Sequence, residues 1–180
     1  MKKFLSIALS FVLIVCIAVL TTGCTTKVKG KTFEFTSAEY VVSTEGMTNE
    51  EKLLMLGIIS TFGVDDVDVN TSDADLTTKL NEALRNRPGF DFSGATLVFT
   101  EKEVAFWQAN QNEPTGKYFY KQDGKKLKVF EDEAMTKTSN VIYSAKVSKK
   151  TVSTSMNFFS MIGEDAKGIT TVLNFKLAKK

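Results

Sequence analysis

The chain has 180 residues, 43% of them hydrophobic, with 23 basic and 21 acidic side chains. It has no histidine, which excludes Ser-His-Asp or Cys-His catalysis and zinc sites that need an imidazole. Neither a GxGxxG nor a GxxxxGK[ST] phosphate loop occurs. We therefore expect a non-enzyme without cofactor or metal, and the near-neutral charge argues against nucleic acid as a partner.

The chain starts with Met1, Lys2 and Lys3, and residues 4–20 form an apolar run interrupted by small residues. Basic, then apolar, then small residues are the order of a secretory signal peptide. The run is longer than a usual signal core and slightly short of a bilayer span. An uncleaved membrane anchor is therefore the alternative interpretation.

The next residues, Leu20-Thr21-Thr22-Gly23-Cys24, resemble the bacterial lipobox, with Thr21 where an aliphatic residue is commonest. The resemblance implies that residues 1–23 are removed as a signal peptide and that Cys24 is diacylated. Cys16 would be lost, which leaves Cys24 without a disulfide partner. We expect an extracytoplasmic protein held on the lipid bilayer of a bacterial membrane, the outer one if the host has two, since two acyl chains anchor stably.

Residues 24–31 are predicted to be a lipidated tether and residues 32–180 a single domain. Charge is uneven along the mature chain. Residues 24–116 carry 8 basic and 15 acidic side chains, whereas residues 117–180 carry 13 and 6. Either the two halves attract one another within the domain, or one of them binds an external charged partner.

The first predicted strand runs from Thr32 to Val42, with a change of phase near Ser37 that indicates a bulge. A capping box at Thr48 and Glu51 starts a helix that is apolar nearly all round, so we expect it to be deeply covered. A second helix is predicted to start near Ser72 and to end before Pro88-Gly89.

The connection between the helices is acidic. Asp66, Asp68 and Asn70 match the first three ligands of an EF-hand loop. Thr71 and Thr77 replace its required glycine and bidentate glutamate, so we predict no calcium site.

Strands are predicted after residue 91. A turn at residues 101–102 pairs Phe99 with Val104 and Leu97 with Phe106, and sends Trp107 to the other face, under a helix or into a partner patch. The last predicted strand has an apolar face that consists of Ile169, Leu173, Phe175 and Leu177.

Two further hairpins also segregate an apolar face. Asp123-Gly124 predicts a type I′ turn, which pairs Tyr120 with Leu127 and Tyr118 with Val129. A turn at residues 149–150 gives four further pairs: Val147 with Val152, Ala145 with Thr154, Tyr143 with Met156 and Val141 with Phe158.

The count is about eight strands, one before the helices and seven after. We predict a mainly β (α+β) domain: an antiparallel up-and-down barrel with two helices inserted between the first and second strands. The alternative is an open antiparallel sheet with both helices on one face.

This pattern resembles the lipocalin-like, calycin-type group of bacterial envelope lipoproteins. The resemblance rests on the lipobox at Cys24, on Gly30-Lys31-Thr32 before "FEF", and on "GKYFYKQDGKKLKVF" and the closing "TTVLNFKLAKK". Thr32 stands where lipocalins have a tryptophan, and the only arginines, Arg85 and Arg87, are far from the last strand. The resemblance implies a barrel and binding of an apolar ligand.

We expect a small apolar or amphipathic ligand inside the barrel, at a site lined by Phe106, Tyr118, Tyr120, Tyr143 and Phe175. A buried tyrosine hydroxyl needs a hydrogen-bond partner, which a ligand could supply. The alternative is a solid barrel whose acidic helical segment or lysine-rich face docks an envelope protein. A void of a few hundred Å³ would favour the first function and a filled interior the second.

Overall fold

The computed structural model describes residues 27–85, 87, 90–139, 142–156 and 167–179. The predicted signal peptide and Cys24 lie outside them. The elements are β1 Thr32–Val42, α1 Asn49–Ser60, α2 Asp73–Leu84, β2 Thr96–Phe99, β3 Glu103–Trp107, β4 Gly116–Asp123, β5 Lys126–Phe130, β6 Ile142–Val147, β7 Thr151–Met156 and β8 Ile169–Leu177.

The eight strands form a closed barrel in which each strand pairs with the next along the chain and β8 pairs with β1. All the pairings are antiparallel. Both helices lie between β1 and β2 in the chain. The predicted up-and-down barrel with two inserted helices is confirmed, and the open sheet is not what forms.

Two apolar clusters hold the domain together. One fills the barrel and includes Phe33, Leu97 and Phe175. The other joins the end of the β1–β8 ladder to both helices and includes Tyr40, Ile59 and Leu80. Burying each large apolar side chain contributes about 1.5–3 kcal/mol, so each cluster is a substantial source of stability.

The two neighbours of β1 accompany it for different lengths. β2 pairs with Thr32 to Glu34 only, whereas β8 follows β1 up to the pair Val42 and Ile169. The ladder to β8 shifts register between Phe35 and Ser37, which confirms the predicted bulge. Beyond the bulge, one edge of β1 extends past β2.

Helix α2 supplies the hydrogen bonds along that edge. The amide of Asn81 accepts from the backbone N–H of Tyr40 at 2.9 Å and donates to the carbonyl of Tyr40 at 2.7 Å. The hydroxyl of Thr77 accepts from the N–H of Val42 at 2.9 Å. Side chains of a helix thus satisfy backbone groups that a neighbouring strand would otherwise pair.

The helix starts follow their caps. Thr48 and Glu51 form the predicted capping box, and the Ser72 hydroxyl accepts from the N–H of Asp75. The expectation that α1 is deeply covered is wrong, because Leu53 and Leu54 are 60% and 67% exposed. The helix packs by one face only, so apolar residues all round it do not imply cover all round.

The β2–β3 pairing is the predicted one, including Leu97 with Phe106. The β4–β5 prediction is wrong in register, because Tyr120 pairs with Val129 and Asp123 with Lys126. The central residues of the turn are therefore 124–125, with Gly124 at a φ of 58°. Glycine in the first central position is typical of a type II′ turn. The pairing moves by two residues, so every side chain keeps its predicted face.

The β6–β7 hairpin has the predicted register near its turn, where Val147 pairs with Val152. A register shift between Ile142 and Ser144 then places Ile142, rather than Tyr143, opposite Met156. The bulge adds one residue to β6, so that Ile142 points into the barrel and is buried. The side chain of Tyr143 and the predicted pair at residues 141 and 158 lie outside the described residues.

The substitution Asn81→Ala tests the link between α2 and β1. It removes both hydrogen bonds to Tyr40, and we expect a loss of about 2–4 kcal/mol in the free energy of unfolding. Thr77→Val removes one acceptor and should cost about 1 kcal/mol. Urea denaturation of both variants beside Glu82→Ala, an exposed neighbour, provides the comparison; equal stability of all three would show that the helix does not hold the strand.

Candidate functional site

A cavity lies in the barrel interior, where the sequence predicted a ligand. Phe106, Tyr118, Ile142, Thr154 and Phe175 are among the residues that line it. Its volume is about 20 Å³. A single water needs about 10–15 Å³ measured in this way, so the cavity holds about one water. A drug-sized ligand needs a pocket of about 300–1,000 Å³.

Aromatic side chains fill the space. The rings of Phe106 and Phe175 meet edge to face at 6.4 Å between centroids, and those of Phe99 and Tyr120 at 5.2 Å. Phe33 contacts Phe99 in the same manner at 5.7 Å. An eight-stranded barrel is only just wide enough for its own side chains, and here large rings use that width.

The five predicted ligand-binding residues divide into three groups. Phe106, Tyr118 and Phe175 line this cavity together. Tyr120 is buried elsewhere in the barrel, and its hydroxyl donates to the carbonyl of Thr100 at 3.0 Å. The side chain of Tyr143 lies outside the described residues. The partner that a ligand was expected to supply to Tyr120 is therefore a backbone carbonyl.

The tyrosine environments resist ionisation. Burial raises the pKa of Tyr118 above its ordinary value of 10.0, and the negative charge of Glu131 raises it further. Burial likewise raises the pKa of Tyr120, with a contribution from Glu101. Burial also raises the pKa of Tyr40. All three phenols thus ionise at a higher pH than an ordinary tyrosine.

A second space lies where β1 continues past β2. This groove, between α2 and the upper half of β1, has a volume of about 290 Å³. Phe35, Ala38 and Phe90 form an apolar wall, and Arg85 and Asp91 stand at the rim. The groove was not predicted from the sequence, although a first strand of eleven residues beside a much shorter second strand indicates an uncovered strand edge.

The rim of this groove is charged. The carboxylate of Asp91 accepts from the N–H of Ser93 at 2.8 Å, and hydrogen bonds from Ser93 lower the pKa of Asp91 below its ordinary value. Arg85 is also exposed. An apolar wall with both a cation and a carboxylate at its edge suits a molecule with an apolar body and a polar head that contacts Arg85.

The two ends of the barrel carry opposite charge. We call the end with the β2–β3, β4–β5 and β6–β7 turns the basic end. Twelve lysines and three acids occur in the segments that form it: residues 27–31, 100–103, 121–126, 146–151 and 176–179. The other end, the helical end, includes residues 43–85, 87, 90 and 91, which carry ten acids and four bases.

Backbone hydrogen bonds join the basic-end segments. The N–H of Gly30 donates to the carbonyl of Phe99, and that of Val147 to the carbonyl of Lys125. The N–H of Leu177 donates to the carbonyl of Lys150. The lysines of segments far apart in the sequence are thus held on one rim.

Like charges face one another there. Lys126 lies directly opposite Lys146, and Lys121 opposite Lys128. Like charges in opposed positions of a sheet are destabilising. Among the ion pairs of the described residues, Lys167 with Glu51 is the one that joins a base of residues 117–180 to an acid of residues 24–116. The uneven charge of the sequence is thus mainly a separation between two ends.

Helix α1 exposes an apolar patch at the helical end. We call Leu53, Leu54 and Gly57 the α1 face. Apart from its chain neighbours and the backbone of α1 itself, no atom of the described residues lies within 4 Å of the position that a side chain at Gly57 would occupy. The residues that bind α1 to the domain, Met55 and Ile59 among them, face the other way.

The described residues contain no cluster of three or more metal-ligating side chains. In the acidic connection, the carboxylate of Asp68 accepts from the N–H of Asn70 at 2.8 Å and so closes the loop on itself. None of the helices that the structure describes is long and apolar enough to cross a membrane.

The fold defines an eight-stranded antiparallel barrel with two inserted helices, which is consistent with the lipocalin-like architecture. Compared with protein-family models, with curated proteins and with solved structures, the chain shows no match.

Tyrosine titration tests the filled interior. The folded protein holds Tyr40, Tyr118 and Tyr120 neutral beyond the pH at which they ionise when unfolded. Their contribution to stability is thus fully present below pH 10 and is lost as pH rises through their folded pKa values. We expect tyrosinate absorbance to rise at higher pH in the native protein than in denaturant. Superimposed curves would contradict the packing.

Proposed function

We propose that this chain is a non-catalytic bacterial lipoprotein, anchored by acylated Cys24, whose barrel supports the α1 face as a docking site for an envelope protein. The observation that carries the proposal is a contrast within the domain. The barrel interior has room for about one water, whereas Leu53 and Leu54 stand exposed on a capped helix.

The two leucines of the α1 face belong to neither of the two apolar clusters. Met55, Leu56 and Ile59 already bury the inner side of the helix. Burying a leucine contributes about 1.5–3 kcal/mol, so two exposed leucines offer a partner a useful binding energy. Adjacent apolar side chains on a surface helix are the kind of feature that marks an interaction site.

Gly57 supports the same interpretation. Glycine within a helix costs about 0.5–1 kcal/mol relative to alanine. No contact inside the domain requires a glycine there, because the space around it is open. A partner could approach the backbone of α1 closely at Gly57, because no side chain stands in the way there.

Charge defines the chemistry of the partner. Exposed acids occur in the first turn of α1 and in the segments on either side of the helix, among them Glu45, Glu50 and Asp65. Complementary charge at a rim selects partners and speeds their association. The occupant we propose is therefore a folded protein with an apolar patch bordered by lysine or arginine.

A photoreactive amino acid at position 54 tests the docking in intact cells. We expect one crosslinked product of fixed mass. Leu53→Asp should weaken docking about tenfold or more, since it replaces a leucine that the partner would bury with a charged side chain. Gly57→Ala should weaken docking too, yet raise the free energy of unfolding by about 0.5–1 kcal/mol.

The control places the photoreactive residue at Lys128 on the outer side of β5. Equal products from positions 54 and 128 would contradict the α1 face as a site. A product of twice the mass of the chain would show self-association in place of a foreign partner. Loss of crosslinking in Gly57→Ala despite greater stability would separate docking from folding.

The groove favours a second candidate function, the binding of a small amphipathic ligand. Its volume of about 290 Å³ reaches the lower end of the range usual for ligand pockets. The apolar wall of Phe35, Ala38 and Phe90 would hold the body of the ligand, and Arg85 its anionic head.

Titration calorimetry with dodecanoate tests this second candidate. Ala38→Phe fills the groove and Arg85→Gln removes the cation, so we expect each to abolish or strongly weaken binding. Arg87→Gln is the matched control, because Arg87 is engaged over the ring of Phe62 at 4.9 Å. Binding that survives both groove variants, or no binding to the unaltered protein, would exclude the groove as a fatty-acid site.

A further inference from the structure

We propose that the basic end is a docking surface for anionic lipid headgroups, so that the barrel stands upright on the membrane that holds its anchor. The inference rests on the proposed acylation of Cys24. It adds an orientation and a lipid preference that the anchor alone does not require.

The tether fixes which end approaches the membrane. Val28 is fully buried, and its N–H donates to the side chain of Gln122 at 3.2 Å beside the β4–β5 turn. The N–H of Gly30 is bound to the carbonyl of Phe99 at 2.9 Å. The chain therefore leaves the domain at the basic end, just before Val28.

The tether is also short. Three residue steps separate Cys24 from Lys27, and even a fully extended chain spans only about 10 Å over that distance. The Debye length at physiological salt is about 8 Å. An acylated Cys24 thus keeps the nearest lysines of the basic end within about one screening length of the headgroups.

Lys29 and Lys102 of the basic end pair with Glu101 and Glu133, whereas other lysines there face like charges. Lys126 and Lys146 oppose one another across the sheet, and Lys149 and Lys150 are adjacent and exposed in their turn. A lysine next to an anionic membrane strengthens binding by about fivefold. An anionic surface would offset the repulsion that the fold itself leaves in place.

The far end strengthens the orientation. Its excess of acids would be repelled by the same lipids in any tilted orientation that brought it within a screening length of them. The α1 face would then point away from the membrane, where a partner can reach it. Acyl chains with a polybasic surface are also a known combination for stable attachment.

Co-sedimentation with vesicles tests the surface without the anchor. The chain from Thr25 to Lys180 contains every described strand and both apolar clusters, and a cooperative unfolding transition would confirm its fold. We expect it to bind vesicles that are one-third phosphatidylglycerol and to be released by high salt. Pure phosphatidylcholine should not bind it.

A pair of variants with equal net charge separates a surface from an overall charge effect. Lys149→Glu with Lys150→Glu should lower binding at least tenfold. Lys52→Glu with Lys117→Glu, placed away from the basic end, should leave binding nearly unchanged. An equal loss in both pairs, or absence of binding to anionic vesicles, would overturn the proposal.

Competition with polyglutamate identifies the class of anion. Binding to this soluble polyanion but not to anionic vesicles would overturn the assignment to lipid. The anchor is tested independently, since Cys24→Ser should release the full chain from membranes of its host. Release without vesicle binding would keep the anchor and reject the surface, and crosslinking at position 54 remains a separate result.

Discussion

The amide of Asn81 bridges both backbone groups of Tyr40 at the point where β2 no longer accompanies β1. An uncovered strand edge is a site for unwanted pairing, and α2 covers this one in place of a strand. The same contact attaches the helical cluster to the β1–β8 ladder, because Tyr40 belongs to that cluster. It also explains the groove, which occupies the gap between the helix and the diverging strands. The position of α1 and its exposed leucines thus depends on how β1 is completed.

The barrel separates the two charges of the chain because antiparallel strands place alternate turns at the same end. The lysine-rich turns share that end with the tether, while both helices and their acidic connection lie at the other. A filled interior suits such a molecule, since a rigid support can transmit an orientation from the membrane to the α1 face. In this account the function lies on the surfaces of the barrel, and the aromatic core that resembled a ligand site provides rigidity.

The sequence predictions that were confirmed rest on interactions between residues close together in the chain. The cap at Thr48, the phase change near Ser37 and the β2–β3 register each depend on a few neighbouring residues.

The predictions that failed involve features that neighbouring residues do not determine. Residues 123–124 and residues 124–125 can both form a two-residue turn, and the chain uses the second pair. A bulge between Ile142 and Ser144 places Ile142, rather than Tyr143, opposite Met156. Periodicity could not say which face of an apolar helix is covered, so Leu53 and Leu54 were misjudged. The size of the cavity depends on how distant rings meet, which alternation along a strand does not specify.

The central claim is that the molecule stands on its basic end, and the depth of its single tryptophan tests this most directly. Trp107 ends β3 on the side away from the β2–β3 turn. In the full acylated protein on anionic vesicles, brominated lipids should leave Trp107 emission unchanged. They should quench a tryptophan introduced by Ser148→Trp, in the β6–β7 turn of the basic end, in a Trp107→Phe background. Quenching of Trp107 as strong as that of the introduced tryptophan would contradict the upright orientation.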